Sequence, residues 1–167
     1  NAVNPLAPRA APSALPASRY AIFVASDFLP NISGFKAWVP PGLEALPAGS
    51  AIVLAGSVSR AIERDGSYRA DIAAGRIVCL GYVDRQALDQ LIQHAHAVLL
   101  PISEGGGTNL KTAEALLSLR PVLATPRALR GFERFARRPR DRVVDDQADF
   151  VARLAAMLAA PAEPDAH

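Results

Sequence analysis

A series of short runs in this chain carries almost nothing polar: Tyr20-Ala21-Ile22-Phe23-Val24-Ala25, Ala51-Ile52-Val53-Leu54-Ala55-Gly56, Arg76-Ile77-Val78-Cys79-Leu80, Ala97-Val98-Leu99-Leu100 and Pro121-Val122-Leu123-Ala124. Each is too short for an ordinary helix and none alternates apolar with polar, so each reads as a strand buried on both faces. Segments of helical spacing lie between them. Asn31 or Ser33 is placed to cap a helix through about Val39 that Pro40-Pro41 stops. Ser57 to about Arg64 reads as helix, with Asp65-Gly66 as a turn. Asp84 caps a helix to about Ala95 with Leu88, Leu91 and Ile92 on one face. A short helix around Gly131–Phe135, a weak sixth strand at Arg142–Asp145 and a last helix from Phe150 to Ala159, with Leu154, Met157 and Leu158 inward, complete the series. Strands alternating with helices require a parallel sheet covered on both faces. Right-handed crossovers make it a doubly wound, Rossmann-like α/β sheet of about six strands. Ligands of such sheets bind beyond the carboxyl ends of the strands. Those ends are the loops 26–31, 56–57, 81–83, 101–108 and 125–131.

One of these loops stands out: Glu104-Gly105-Gly106-Gly107-Thr108-Asn109-Leu110-Lys111-Thr112-Ala113-Glu114-Ala115-Leu116-Leu117, between the fourth and fifth apolar runs. Consecutive glycines let another group approach the backbone. A helix beginning near Gly107 or Thr108 turns its free N–H groups and positive dipole end toward the loop, which suits an anion. On that helix Leu110, Ala113 and Leu117 are expected to form the apolar stripe, with Glu114 beside it and leaning back toward the glycines. A carboxylate there can accept two hydroxyls of a ribose, and Lys111 can meet a phosphate. The same two residues, at i and i+3, can instead form an ordinary surface ion pair worth a few tenths of a kcal/mol.

The segment Leu100-Pro101 … Gly105-Gly106-Gly107-Thr108-Asn109-Leu110-Lys111-Thr112-Ala113-Glu114-Ala115-Leu116 … Arg120-Pro121-Val122-Leu123-Ala124-Thr125 resembles the nucleotide-sugar-binding, C-terminal half of GT-B glycosyltransferases, above all the retaining group 1 (family 4) enzymes. Ser26-Asp27-Phe28-Leu29-Pro30-Asn31 is similar to that family's loop after the first strand, and Gly81-Tyr82-Val83 to its glycine-any-valine turn. The resemblance covers most of residues 20–157. It implies transfer of a hexose-type sugar from a nucleoside diphosphate, such as UDP or GDP, in glycan biosynthesis. Glu114 would take the ribose. The amides of Gly105, Gly106, Gly107 and Thr108, with Lys111, would take the diphosphate and sugar. Tyr82 and Val83 would border the base, and Arg127 or Arg130 would reach the pyrophosphate. It implies no cofactor or metal beyond the nucleotide-sugar donor. An N-terminal GT-B domain would supply the acceptor site, so this stretch alone would be inactive. The family's earlier glutamate falls here on Gly106, and of its arginine and lysine after the first strand only Lys36 is available, leaving Lys111 to supply that charge.

The chain's 167 residues, half of them hydrophobic, suffice for one well-filled domain. The Pro- and Ala-rich residues 1–18 read as a linker, 19–160 as the nucleotide-sugar-binding domain and 161–167 as a frayed tail. No apolar run approaches the roughly 20 residues of a membrane span. A net charge of +2 argues no nucleic-acid partner. The single cysteine, Cys79, fits a reducing, cytoplasmic setting and reads as buried and inert. His94 and His96 have neither metal-ligand spacing nor acidic neighbours and read as a solvated helix end. Arginines 127, 130, 134, 137, 138, 140 and 142 form a basic cluster with Phe132 and Phe135, either a salt-bridged surface or a face for the second domain. Two rival classes are weighed: a non-catalytic doubly wound nucleotide- or protein-binding module, which needs neither Glu114 nor the glycines, and a GT-B-fold epimerase, which needs acidic and histidine residues in the cleft, a set the sequence does not offer.

Overall fold

The computed structural model describes residues 16–104, 110–135 and 141–161; most of the proposed linker, the glycine stretch 105–109, Arg137, Arg138 and Arg140 lie outside the described residues. In order, the chain forms β1 (Arg19–Val24), α1 (Leu29–Trp38), β2 (Ser50–Ala55), α2 (Val58–Arg64), a 3₁₀ turn (Gly66–Tyr68), α3 (Arg69–Ala73), β3 (Ile77–Gly81), α4 (Arg85–His94), β4 (Ala97–Leu100), α5 (Leu110–Leu117), β5 (Val122–Ala124), β6 (Arg142–Val143) and α6 (Gln147–Ala159). The strands make one sheet in the order β3-β2-β1-β4-β5-β6, parallel throughout. This is the doubly wound sheet expected from the apolar runs.

Strand alternation sends successive side chains to opposite faces. Ala21, Phe23, Ile52, Leu54, Leu99 and Leu123 pack with Phe35 of α1 and Val39 just after it, Ile62 of α2 and Phe150, Leu154 and Leu158 of α6. Tyr20, Ile22, Val53, Val98, Leu100 and Val122 pack with Ala87 and Leu91 of α4 and Ala115 of α5. Both large buried hydroxyls are satisfied: Tyr20 donates to the Leu91 carbonyl at 2.7 Å and Tyr68 to that of Val39 at 2.8 Å.

Several local expectations are corrected. Neither Asn31 nor Ser33 caps α1; the cap is Phe28, with no side-chain bond, and Asn31 lies within the first turn. The expected apolar stripe of α5 is turned outward. Leu110 and Leu117 are 69% and 79% exposed, while Thr112 and Ala115 are buried. Thr112 can occupy that place because its hydroxyl donates to the Ala128 carbonyl at 2.6 Å. Residues 126–135 form successive turns instead of a short helix. Gly66–Ala73, expected only as a turn at its start, adds a 3₁₀ turn and α3. Asp84 does cap α4, accepting from the Ala87 amide at 2.8 Å.

The loop leaving β4 is pinned from two sides before it reaches the glycines. Trp38 donates to the Ser103 hydroxyl at 2.7 Å, and Thr125 donates to the Ile102 carbonyl at 2.6 Å. Gly34 of α1 lies so close that a Cβ there would stand 2.3 Å from the Pro101 carbonyl oxygen.

Candidate functional site

β1 and β4 are the central strands, and the crossovers run to opposite sides from them. Their register is short, only Ala21↔Ala97 and Ile22↔Val98. Val24 on one strand and Leu99 and Leu100 on the other are therefore unpaired with each other at the carboxyl end. A crevice at such a switch point is where doubly wound sheets take ligands. Beside that point, on one face of the sheet, a cavity of about 380 Å³ runs along α4 and α5, floored by Val24, Val98, Leu99 and Leu100. Arg85, Leu88, Asp89, Ile92 and Gln93 of α4 wall one side; Lys111, Glu114, Ala115, Leu117 and Ser118 wall the other.

Lys111 is the telling side chain. The ion pair with Glu114 that their spacing permits is not formed. The Lys111 ammonium instead crosses the switch point and donates to Asn31 Oδ1 of α1 at 2.6 Å. Asn31 is 6% exposed, and its own amide donates to the Ser26 carbonyl at 3.0 Å and the Ser26 hydroxyl at 3.2 Å. Lys111 is thus half-buried against a neutral group, and burial lowers its pKa. An ammonium has three donors, and Asn31 accepts one. Such a cation, partly desolvated and matched by no carboxylate among the described residues, is set to gain from an anion.

The other expected site residues separate. Glu114 is exposed on the same cavity wall as Lys111. Tyr82 projects from the end of β3 and is 58% exposed, whereas Val83 is 9% exposed and belongs to the core on the α4 side. Neither lines the cavity, whose α4 wall is Arg85, Leu88 and Asp89 instead. Arg130 is exposed on the turns after β5 and does not line it either. Gly105, Gly106, Gly107 and Thr108 lie outside the described residues. Lys36 is engaged elsewhere, ion-paired with Asp65, so it brings no charge to the crevice. Sequence reasoning missed Asn31 as a site residue. The signal lies in Pro30-Asn31 after the first strand, which resembles the family's loop but offers a helix cap equally well.

Away from the crevice, Cys79 is half-buried in β3, and burial pushes its thiol pKa up to about 12, as suits an inert residue. His94 is exposed as expected, but His96 is half-buried and its Nδ1 has no hydrogen-bond partner. No cluster of potential metal ligands occurs among the described residues. No described helix is long and apolar enough to cross a membrane. Arg134 lies over the Phe135 ring at 5.2 Å, and Phe135 is 57% exposed.

No curated protein matches the sequence. The solved structure of WaaG, a glycosyltransferase involved in lipopolysaccharide biosynthesis, is similar in fold, with a TM-score of 0.61 at 16% sequence identity. The match covers 86% of this chain and 39% of that one, so the chain spans well under half the length of its structural relative. The sequence pattern of the family described as glycosyl transferases group 1 matches residues 35–160. That match takes in every element from the middle of α1 to the end of α6, and with the sheet order it establishes that the chain belongs to the group 1 glycosyl transferases, with the fold of one half of a GT-B enzyme.

Proposed function

We propose that this chain is the donor-binding half of a glycosyltransferase, holding a nucleoside diphosphate sugar in the crevice between α4 and α5. The observation that carries the reading is Lys111, a half-buried cation at the switch point whose only hydrogen-bond partner among the described residues is neutral. In the proposal its ammonium meets the diphosphate and stabilises the charge that grows on the leaving phosphate. Glu114, on the same wall, accepts the ribose hydroxyls. The amides of Gly105–Thr108, next in sequence to α5, share the diphosphate. Tyr82, exposed after β3, borders the base with Arg85 and Leu88 rather than with Val83. The acceptor and the remaining chemistry come from an N-terminal GT-B domain, in a cytoplasmic setting, and this half alone transfers no sugar.

Calorimetry with UDP and GDP tests the reading. One wall of a cleft should give a dissociation constant of about 0.1–1 mM for the preferred nucleotide. Losing a charge-assisted contact costs about 1.5–3 kcal/mol. Lys111→Met should therefore weaken the diphosphate but not the nucleoside, while Glu114→Gln should weaken both. Absence of binding by either nucleotide at ten times the upper value, or a Lys111→Met variant with unaltered affinity, would overturn it.

A further inference from the structure

We propose that Asn31 is the positioning residue for Lys111, holding its ammonium over the seam between β1 and β4 from the opposite half of the sheet; the proposal rests on the assignment of Lys111 to the donor diphosphate. The two residues are 80 positions apart, on helices that pack against opposite faces of the sheet. Their 2.6 Å bond bridges the seam between β1 and β4. The orientation of the Asn31 amide is fixed by chemistry. Its nitrogen donates to the Ser26 carbonyl and hydroxyl, so only Oδ1 is left to face Lys111, and an inverted amide would set donor against donor. Asn31 is itself buried, within the first turn of α1, and that turn holds its side chain in place.

Neutrality is the essential property of this partner. A carboxylate at the same place would hold the lysine equally well but would cancel its charge and repel a phosphate. An amide restrains the ammonium without neutralising it, leaving its remaining donors to a ligand. The lysine's chain entropy is thereby spent in folding rather than in binding.

The test uses UDP or GDP, whichever binds more tightly, with the matching nucleoside as the control. Asn31→Ala should weaken the diphosphate about tenfold, equivalent to about 1.4 kcal/mol, and leave the nucleoside unchanged. In a Lys111→Met background the same substitution should have no further effect on the diphosphate. Asn31→Asp, which keeps the acceptor toward Lys111, gives up the donor to the Ser26 carbonyl and adds a charge, should weaken the diphosphate in the same selective way and serves if the alanine variant does not fold. Parallel loss of nucleoside and diphosphate would show a merely structural asparagine and overturn the proposal. So would an Asn31→Ala effect that persists undiminished beside Lys111→Met. If Lys111→Met weakens the diphosphate while both Asn31 variants bind it normally, the positioning role falls and the donor reading stands. If Lys111→Met has no effect, the donor reading falls first.

Discussion

Replacing Gly34 by alanine sets two sizeable effects against each other in the wall that supports the crevice. In an open helix the change stabilises by about 0.5–1 kcal/mol, because glycine loses the most backbone entropy on folding. In α1 the new Cβ would sit 2.3 Å from the Pro101 carbonyl oxygen and 3.4 Å from the Ile102 Cα. Both are backbone atoms, so no side-chain rotation relieves the contact, and helix and loop must separate by about 1 Å. Overpacking of this kind costs about 1–3 kcal/mol. Subtracting the helix gain leaves a net loss of about 0.5–2 kcal/mol, or a fall in Tm of roughly 1–8 °C for a domain of this size. Gly66→Ala, with nothing within 4 Å of the added carbon, is the control. Trp38, the chain's one tryptophan, supplies a second readout because its indole N–H bonds the Ser103 hydroxyl in the loop that must move. Thermal melts followed by circular dichroism and by tryptophan emission should show a destabilised variant with altered emission. A Gly34→Ala protein as stable as the parent, with unaltered emission, would refute the argument that this close approach fixes the loop.

Two further expectations concern stability away from the crevice. Leu119 has φ +60° and is 71% exposed, so Leu119→Gly loses little burial and relieves left-handed strain of about 1–2 kcal/mol; after the entropy cost of glycine, a gain of about 0.5–1 kcal/mol should appear in denaturant melts, and a loss would contradict it. His96 has its pKa lowered by burial first and by Arg19 and Arg120 next, so the folded state binds the proton less readily than the unfolded one. Its contribution is intact above the ordinary histidine pKa and is lost as pH falls below it. The Tm of the parent should accordingly drop more between pH 7.5 and about 5 than that of His96→Gln, and equal slopes would remove His96 as the cause.

The sheet was legible because β1, β2, β4 and β5 are buried on both faces, which leaves a signature that needs no knowledge of partners: Ala51 to Leu54 are fully buried, and their run is wholly apolar. Helix faces were less legible. Hydrophobic spacing on α5 points to Leu110 and Leu117, yet the face that packs carries Thr112, a polar residue made acceptable by a carbonyl on the turn after β5. No local pattern reveals such a long-range partner. The role of Asn31 is hidden for the same reason: an asparagine at a helix start suits a cap, and only the fold brings Lys111 within reach. At the crevice, Lys111 and Glu114 share a wall as their spacing allows, whereas Tyr82 and Val83, adjacent in sequence, part company because one ends a turn and the other enters the core.

The sheet's central seam also has a history in the folding chain. β1 pairs with β2 along its whole length, from Arg19↔Ser50 to Val24↔Ala55, but meets β4 only at Ala21 and Ile22. Adding β4 closes a loop more than twice as long as adding β2, at an extra entropic cost of about 0.6–0.8 kcal/mol, for fewer ladder bonds in return. Of the two pairings β1 makes, this is the costlier to close. The bond between Asn31 and Lys111 straddles it like a clasp. Under the proposed function, an anion on Lys111 would tie α5 to α1 across that seam, and slower exchange of the amides along β1 and β4 would report it.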